Sequence, residues 1–237
     1  MFAGPNGSGK TTVQKGLRRS PEWFGSYINP DDLEKAWRES GSIPLQGALA
    51  TASDTVFRNF FGQSAWLKSR LPDFDPFGLA LRQGALQVPC PPNSYVVSVL
   101  ADLLRRTCVE NRESFTFETV MSSRDKVDLL RLCRAAGYRT YLYFVATEDP
   151  EINLARVRLR VSQGGHDVPT EKVVSRYSRS ISLLADAIHQ ADRAFLFDTS
   201  SEEPWYFAEV TGGQHVDLKG SEIPNWFRPV WTALTAS

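Results

Sequence analysis

One stretch constrains this chain more than any other: Gly4-Pro5-Asn6-Gly7-Ser8-Gly9-Lys10-Thr11-Thr12. It fits G-x-x-x-x-G-K-[ST], the pattern of a phosphate-binding loop. Its glycines let the backbone wrap tightly enough for successive N–H groups to face phosphate oxygens. Lys10 is spaced to reach the β- and γ-phosphates, and the Thr11 hydroxyl to hold Mg²⁺. A helix is expected from about Lys10, its N-terminal dipole favouring the same anion. The competing reading is a glycine-rich turn that fits by accident. Against it stand the apolar Phe2-Ala3 before the loop and the helix-like residues 12–19 after it. Residues 4–12 are therefore candidate ATP contacts, but they are silent on what would accept a phosphate.

Only Met1-Phe2-Ala3 precede the loop, whereas strands commonly run about five residues. Either the first strand is a stub, leaving the loop anchored on little sheet, or the strand begins upstream of this sequence. The 237 residues suffice for one large α/β domain. With 27 basic and 27 acidic side chains the formal charge is zero, which argues against a nucleic-acid or membrane-surface partner. No apolar run is long enough for a bilayer, and there is no basic-then-apolar leader, so the cytosol is the expected compartment. The three cysteines, Cys90, Cys108 and Cys133, have no C-x-x-C spacing and read as free, small buried hydrophobes.

Along the chain, Tyr27-Ile28-Asn29 reads as a short strand running into Pro30-Asp31-Asp32 and a helix from Leu33 to about Glu39. Either aspartate suits a helix cap. In an open α/β sheet, however, the carboxyl end of a strand is where ligands sit, which makes Asp31 the better candidate for a catalytic role. Residues 41–93 are broken by prolines and read as a helical insertion. Phe57, Phe60, Phe61 and Trp66 fit core better than a substrate cleft. A helix over 95–106, strands over 114–119, 140–146 and 194–199, and a helix over 123–136 stopped by Gly137 alternate as parallel βαβ units do. A hairpin turning on Gly212-Gly213 and a closing helix over 223–234 end the chain. The expected fold is a three-layer α/β sandwich with a mostly parallel sheet, in one domain, with a helical lid over about 151–180.

The lid is rich in arginine. Arg156 and Arg160 are four apart and share a helix face, while Arg158 lies around the cylinder. Arg176 and Arg179 follow on a second helix. A charge cluster usually means a solvated face, but beside a phosphate loop guanidinium groups suit the spread charge of a transferring phosphoryl group. Arg160, Arg156 and Arg176 are the candidate phosphate contacts, and Arg158 and Arg179 read as surface. His166 is a loop residue without a second His or Cys at ligand spacing.

The segments FAGPNGSGKTT, YINPDDL, FTFETVMSS, GYRTYLYFVATEDPEINLARVRLRVSQGGHDVP and ADRAFLFDTS together resemble the zeta toxin family of P-loop kinases. The resemblance implies a nucleoside-monophosphate-kinase-like fold and ATP-dependent phosphorylation of a nucleotide sugar such as UDP-N-acetylglucosamine. It also implies Mg²⁺ as cofactor and a protein antitoxin as partner. It places the catalytic aspartate on Asp31, acceptor binding on Glu118 and Thr119, and the phosphate clamp on Arg160 and Arg176, beside Lys10. Residues 41–93 show no recognisable sugar-nucleotide pocket. Other acceptors (a nucleotide, an antibiotic, an RNA end) and a nucleotide-dependent binding protein without transfer are the alternatives.

Overall fold

The computed structural model describes residues 1–17, 24–164 and 168–235. In chain order its strands and helices are β1 (Phe2–Ala3), α1 (Lys10–Leu17), β2 (Ser26–Ile28), α2 (Pro30–Ser40), β3 (Ile43–Pro44), α3 (Asp54–Gln63), α4 (Ala65–Arg70), β4 (Ala80–Arg82) and β5 (Ala85–Gln87). Then come α5 (Ser94–Glu110), β6 (Phe115–Thr119), α6 (Asp125–Ala135), β7 (Tyr141–Ala146), α7 (Pro150–Ser162), α8 (Thr170–Ser182), α9 (Leu184–His189), β8 (Arg193–Asp198), β9 (Trp205–Thr211), β10 (His215–Leu218) and α10 (Arg228–Thr235). These form two compact units, residues 1–21 with 118–237 and residues 22–117.

In the first unit β1 lies between β6 and β7, parallel to both, and β8 continues the parallel run beyond β7. The hairpin of β9 and β10 adds two antiparallel strands at that edge. The expectation of a mostly parallel α/β sheet holds. Alternation along β7 sends successive side chains to opposite faces. Val145 packs with Val13 of α1 and Phe197 on one face. Phe144 meets Trp226 on the other, where Phe207 and Phe227 join it. Helices on both faces make the three layers. The two residues of β1 are well held: Phe2 and Ala3 are fully buried, and Gly4 N donates to Thr119 O at 3.2 Å.

In the second unit β2 runs parallel to the first half of β6. Asn29 caps α2, its side chain accepting from Asp31 N at 3.0 Å, with Pro30 at the first helical position where no N–H is needed. The segment expected to be a helical insertion carries α3 and α4 and also a small antiparallel sheet, β3-β5-β4. Phe57 and Phe61 are buried in a core with Trp37, Leu67, Leu86 and Leu100, as expected. Trp66 is instead 46% exposed and meets Tyr95 edge-on. Cys108 and Cys133 are buried free thiols, and Cys90 is a half-buried one. Among the described residues no helix is long and apolar enough to cross a membrane.

Two contacts in the first unit make its stability testable. Trp226 Nε1 donates to the buried Asp198 Oδ2 at 2.8 Å. Trp226→Phe keeps most of the ring contact and removes one of that oxygen's two donors, leaving Ser200 Oγ at 3.1 Å, so urea unfolding should show a loss of about 1 kcal/mol. Asp192 accepts from Thr140 N at 2.7 Å, and this bond holds its carboxyl below the usual range. A lowered folded-state pKa stabilises above the unfolded pKa and is lost as pH falls through the folded one. Asp192→Asn should therefore lower the melting temperature at pH 7 and converge with the parent as the pH drops below the carboxylate range.

Candidate functional site

The loop between β1 and α1 is shaped by close approach. A side chain on Gly4 (φ 143°) would collide with the Val145 carbonyl, and a Cβ on Gly7 (φ 76°) would stand 2.5 Å from the Asn153 carbonyl oxygen. Only glycine tolerates both demands, positive φ and no room. Lys10 Nζ donates to the carbonyls of Gly4 and Pro5 at 2.8 and 2.9 Å, curling its stem over the loop. Thr12 N and Val13 N donate to Gly9 O as α1 begins.

Three further loop contacts come from elsewhere in the first unit. Asn153 of α7 is fully buried, and its Nδ2 donates to Asn6 O at 2.6 Å while its Oδ1 accepts from the Thr147 hydroxyl. Thr199, just past β8, donates from Oγ1 to Ser8 O at 2.7 Å, and its own carbonyl accepts Arg156 Nη2 at 2.7 Å. Arg176 of α8 reaches the Asn6 side chain, Nη1 to Oδ1, at 3.5 Å. The lid helices share a small core of Leu154, Val157, Val168 and Val173. They are tied down by polar contacts, Tyr177 Oη to Thr147 O at 2.6 Å and Ser180 Oγ to Val120 O at 2.7 Å. Burial, reinforced by the carboxylates of Glu148, Asp149 and Asp198, raises the Tyr177 pKa and keeps the phenol a donor.

Thr11 Oγ1 lies 3.4 Å from both carboxylate oxygens of Glu118, which is 8% exposed at the end of β6. A hydroxyl beside a carboxylate is a hard-oxygen donor pair of the kind that shares Mg²⁺ with phosphate oxygens. No group of three acidic, His or Cys side chains gathers among the described residues, so the pair would be a partial shell completed by phosphate and water. The Thr119 hydroxyl accepts from Met121 N at 3.0 Å, bracing a turn at which Met121 takes φ 52°.

Of the residues singled out in the sequence, the structure brings Lys10, Thr11, Glu118 and Arg176 to the loop, and Arg156 to the strand end that braces it. Arg160 is half-buried one turn beyond Arg156, and Arg158 is exposed. Asp31 is exposed in the first turn of α2 in the second unit, and the capping role open to it belongs to Asn29. His166 lies outside the described residues. Sequence reasoning missed Asn153, Thr147 and Thr199, all buried polar side chains.

Residues 94–203 match the zeta toxin family. This stretch, a little under half of the chain, includes Glu118, all of α7 and α8, and Thr199. An uncharacterized protein of Haemophilus influenzae is 28% identical over 69 residues, 29% of this chain and 49% of that protein. The AvrRxo1-ORF1:-ORF2 complex solved with ATP has a chain that superposes with a TM-score of 0.53 at 18% identity, over 92% of this chain and 60% of that one. A structure from the PezAT chromosomal toxin–antitoxin system of Streptococcus pneumoniae gives 0.49 at 12% identity, over 98% and 76%. The chain therefore spans about half of the curated relative it matches and three-fifths of the AvrRxo1 chain. At such identities the AvrRxo1 likeness is one of fold.

The loop geometry carries its own test. Gly7→Ala forces a Cβ towards Asn153 O in a left-handed backbone, so it should weaken ATP binding more than about tenfold, measured by calorimetry, with secondary structure kept.

Proposed function

We propose that this zeta toxin relative is an ATP-dependent small-molecule kinase that transfers the γ-phosphoryl group to a hydroxyl of a nucleotide sugar such as UDP-N-acetylglucosamine. The observation that carries the reading is the convergence on one loop of a lysine, a hydroxyl–carboxylate pair and a lid arginine. In this reading the amides of residues 4–12 and Lys10 hold the triphosphate. Mg²⁺, when bound, would supply charge neutralisation for the triphosphate, and Thr11 and Glu118 are the residues that would hold it. Arg176 and Arg160 offset the charge that spreads over the transferring group, and Arg156 keeps the Thr199 strand end in place.

Asp31 is assigned the base. Its carboxylate takes the proton of the acceptor hydroxyl, the alcohol oxygen bonds to the γ-phosphorus, and the bond to the β–γ bridging oxygen breaks to release ADP. The second unit supports this in one respect: Asn29 does the capping, which leaves the exposed Asp31 carboxylate without that task. Glu118 and Thr119 are the acceptor-side candidates carried over from the family. A protein antitoxin is the partner the kinship implies, and the AvrRxo1 chain was solved in a two-protein complex.

Labelled ATP with a panel of nucleotide sugars, nucleotides, aminoglycosides and RNA 5′ ends tests the reading. The expected result is Mg²⁺-dependent label on a nucleotide sugar, abolished by Lys10→Ala. Asp31→Asn should cut kcat by about 10²–10⁴ with ATP affinity kept. Label on another acceptor would move the substrate class, and ATP binding without transfer to any would leave a nucleotide-dependent binding protein.

A further inference from the structure

The phosphate loop does not set its own shape. A trans peptide is planar, so the carbonyl of one residue and the N–H of the next point in opposite directions. Whatever grips the carbonyl from behind therefore aims the following amide forward. Two loop carbonyls are gripped by side chains from distant parts of the first unit. Asn6 O accepts Asn153 Nδ2 at 2.6 Å, and Ser8 O accepts Thr199 Oγ1 at 2.7 Å. The amides that follow are those of Gly7 and Gly9, the two loop glycines with φ near +80°.

We infer that Asn153 and Thr199 are positioning residues that hold the Gly7 and Gly9 amides in the orientation a polyphosphate requires. Both side chains are nearly inaccessible, at 0% and 4% exposure, and both are themselves oriented. The Thr147 hydroxyl engages Asn153 Oδ1, which fixes the amide so that Nδ2 faces the loop. Arg156 clamps the Thr199 carbonyl, and Thr199 N donates to Ala146 O at 2.9 Å. Asn153 sits on α7, the first helix of the lid, so the lid's seating and the aim of an anion-binding amide are one mechanical event. Arg156 gains a role distinct from touching phosphate, since it steadies the residue that steadies the loop.

The inference rests on the P-loop being a polyphosphate site but not on transfer to any acceptor, and inorganic tripolyphosphate is therefore the probe. In ¹⁵N spectra of the wild-type chain, titrated tripolyphosphate should shift the Gly7 and Gly9 amides among the most strongly moved resonances. Asn153→Leu and Thr199→Val, which keep volume but lose the donor, should each weaken tripolyphosphate and ATP about three- to tenfold and by the same factor. Thr199→Ser, which keeps the hydroxyl, should restore the affinity. A merely structural role would lower the melting temperature without this matched loss and without rescue. Unmoved glycine amides in the wild type would overturn the inference whether or not a variant folds, as would variants that keep full affinity. A wild-type chain that binds tripolyphosphate in this way yet phosphorylates nothing would sink the kinase reading and leave this one standing.

Discussion

A phosphate loop must bring backbone closer to backbone than any side chain permits, and the first unit is arranged around meeting that demand. Gly4 sits against the Val145 carbonyl at the end of β7, and Gly7 against the Asn153 carbonyl on α7. Both approaches need glycine, and both need neighbours that do not move. Rigidity comes from the sheet. β1 contributes only two residues, but they are wedged between β6 and β7 with no exposure to solvent. Their central position between two parallel neighbours is what fixes these two residues.

From that anchor the chemistry spreads along strand ends. Glu118 lies next to the end of β6, and Thr147 and Thr199 directly follow β7 and β8, so one rim of the sheet brings a carboxylate to Thr11 and a hydroxyl to Ser8, with the Thr147 hydroxyl behind them on Asn153. The lid arginines then read differently from one another. Arg156 bonds to backbone carbonyls and is built in. Arg176 touches Asn6 at 3.5 Å, a contact weak enough for a charged phosphate oxygen to replace with a shorter, charge-assisted bond. The same two helices thus supply one guanidinium that holds the strand end and one that touches the loop.

The parts of this arrangement that were legible in the sequence share a property: their signal is local. Nine consecutive residues spell the loop, buried β-branched and aromatic runs spell β7 and β8, and arginines at helical spacing spell the lid face. What was not legible depends on contacts between distant positions. Asn153 meets Asn6 across 147 residues and Thr199 meets Ser8 across 191, and neither residue type distinguishes a buried donor from a solvated surface. The small sheet of residues 43–87 escaped for another reason. Its strands are two or three residues long, too short for an alternating pattern, and the prolines around them suggested only breaks. Asn29 was legible in principle. An asparagine followed by proline at a strand end is a helix start, and the two aspartates behind it drew attention from the cap.

Helices α7 and α8 also reach the loop through polar contacts. The apolar core that α7 and α8 share is Leu154, Val157, Val168 and Val173, with Val161 packed against it. Among the described residues the polar contacts of these helices include Tyr177 on Thr147, Ser180 on Val120, Asn153 on Asn6, Arg176 on Asn6 and Arg156 on Thr199. Two of these five end on the phosphate loop itself. Both helices reach the same loop residue, so the conformation of Asn6 and the packing of α7 and α8 are coupled. By linkage, whatever favours one arrangement of the pair favours the matching arrangement of the other.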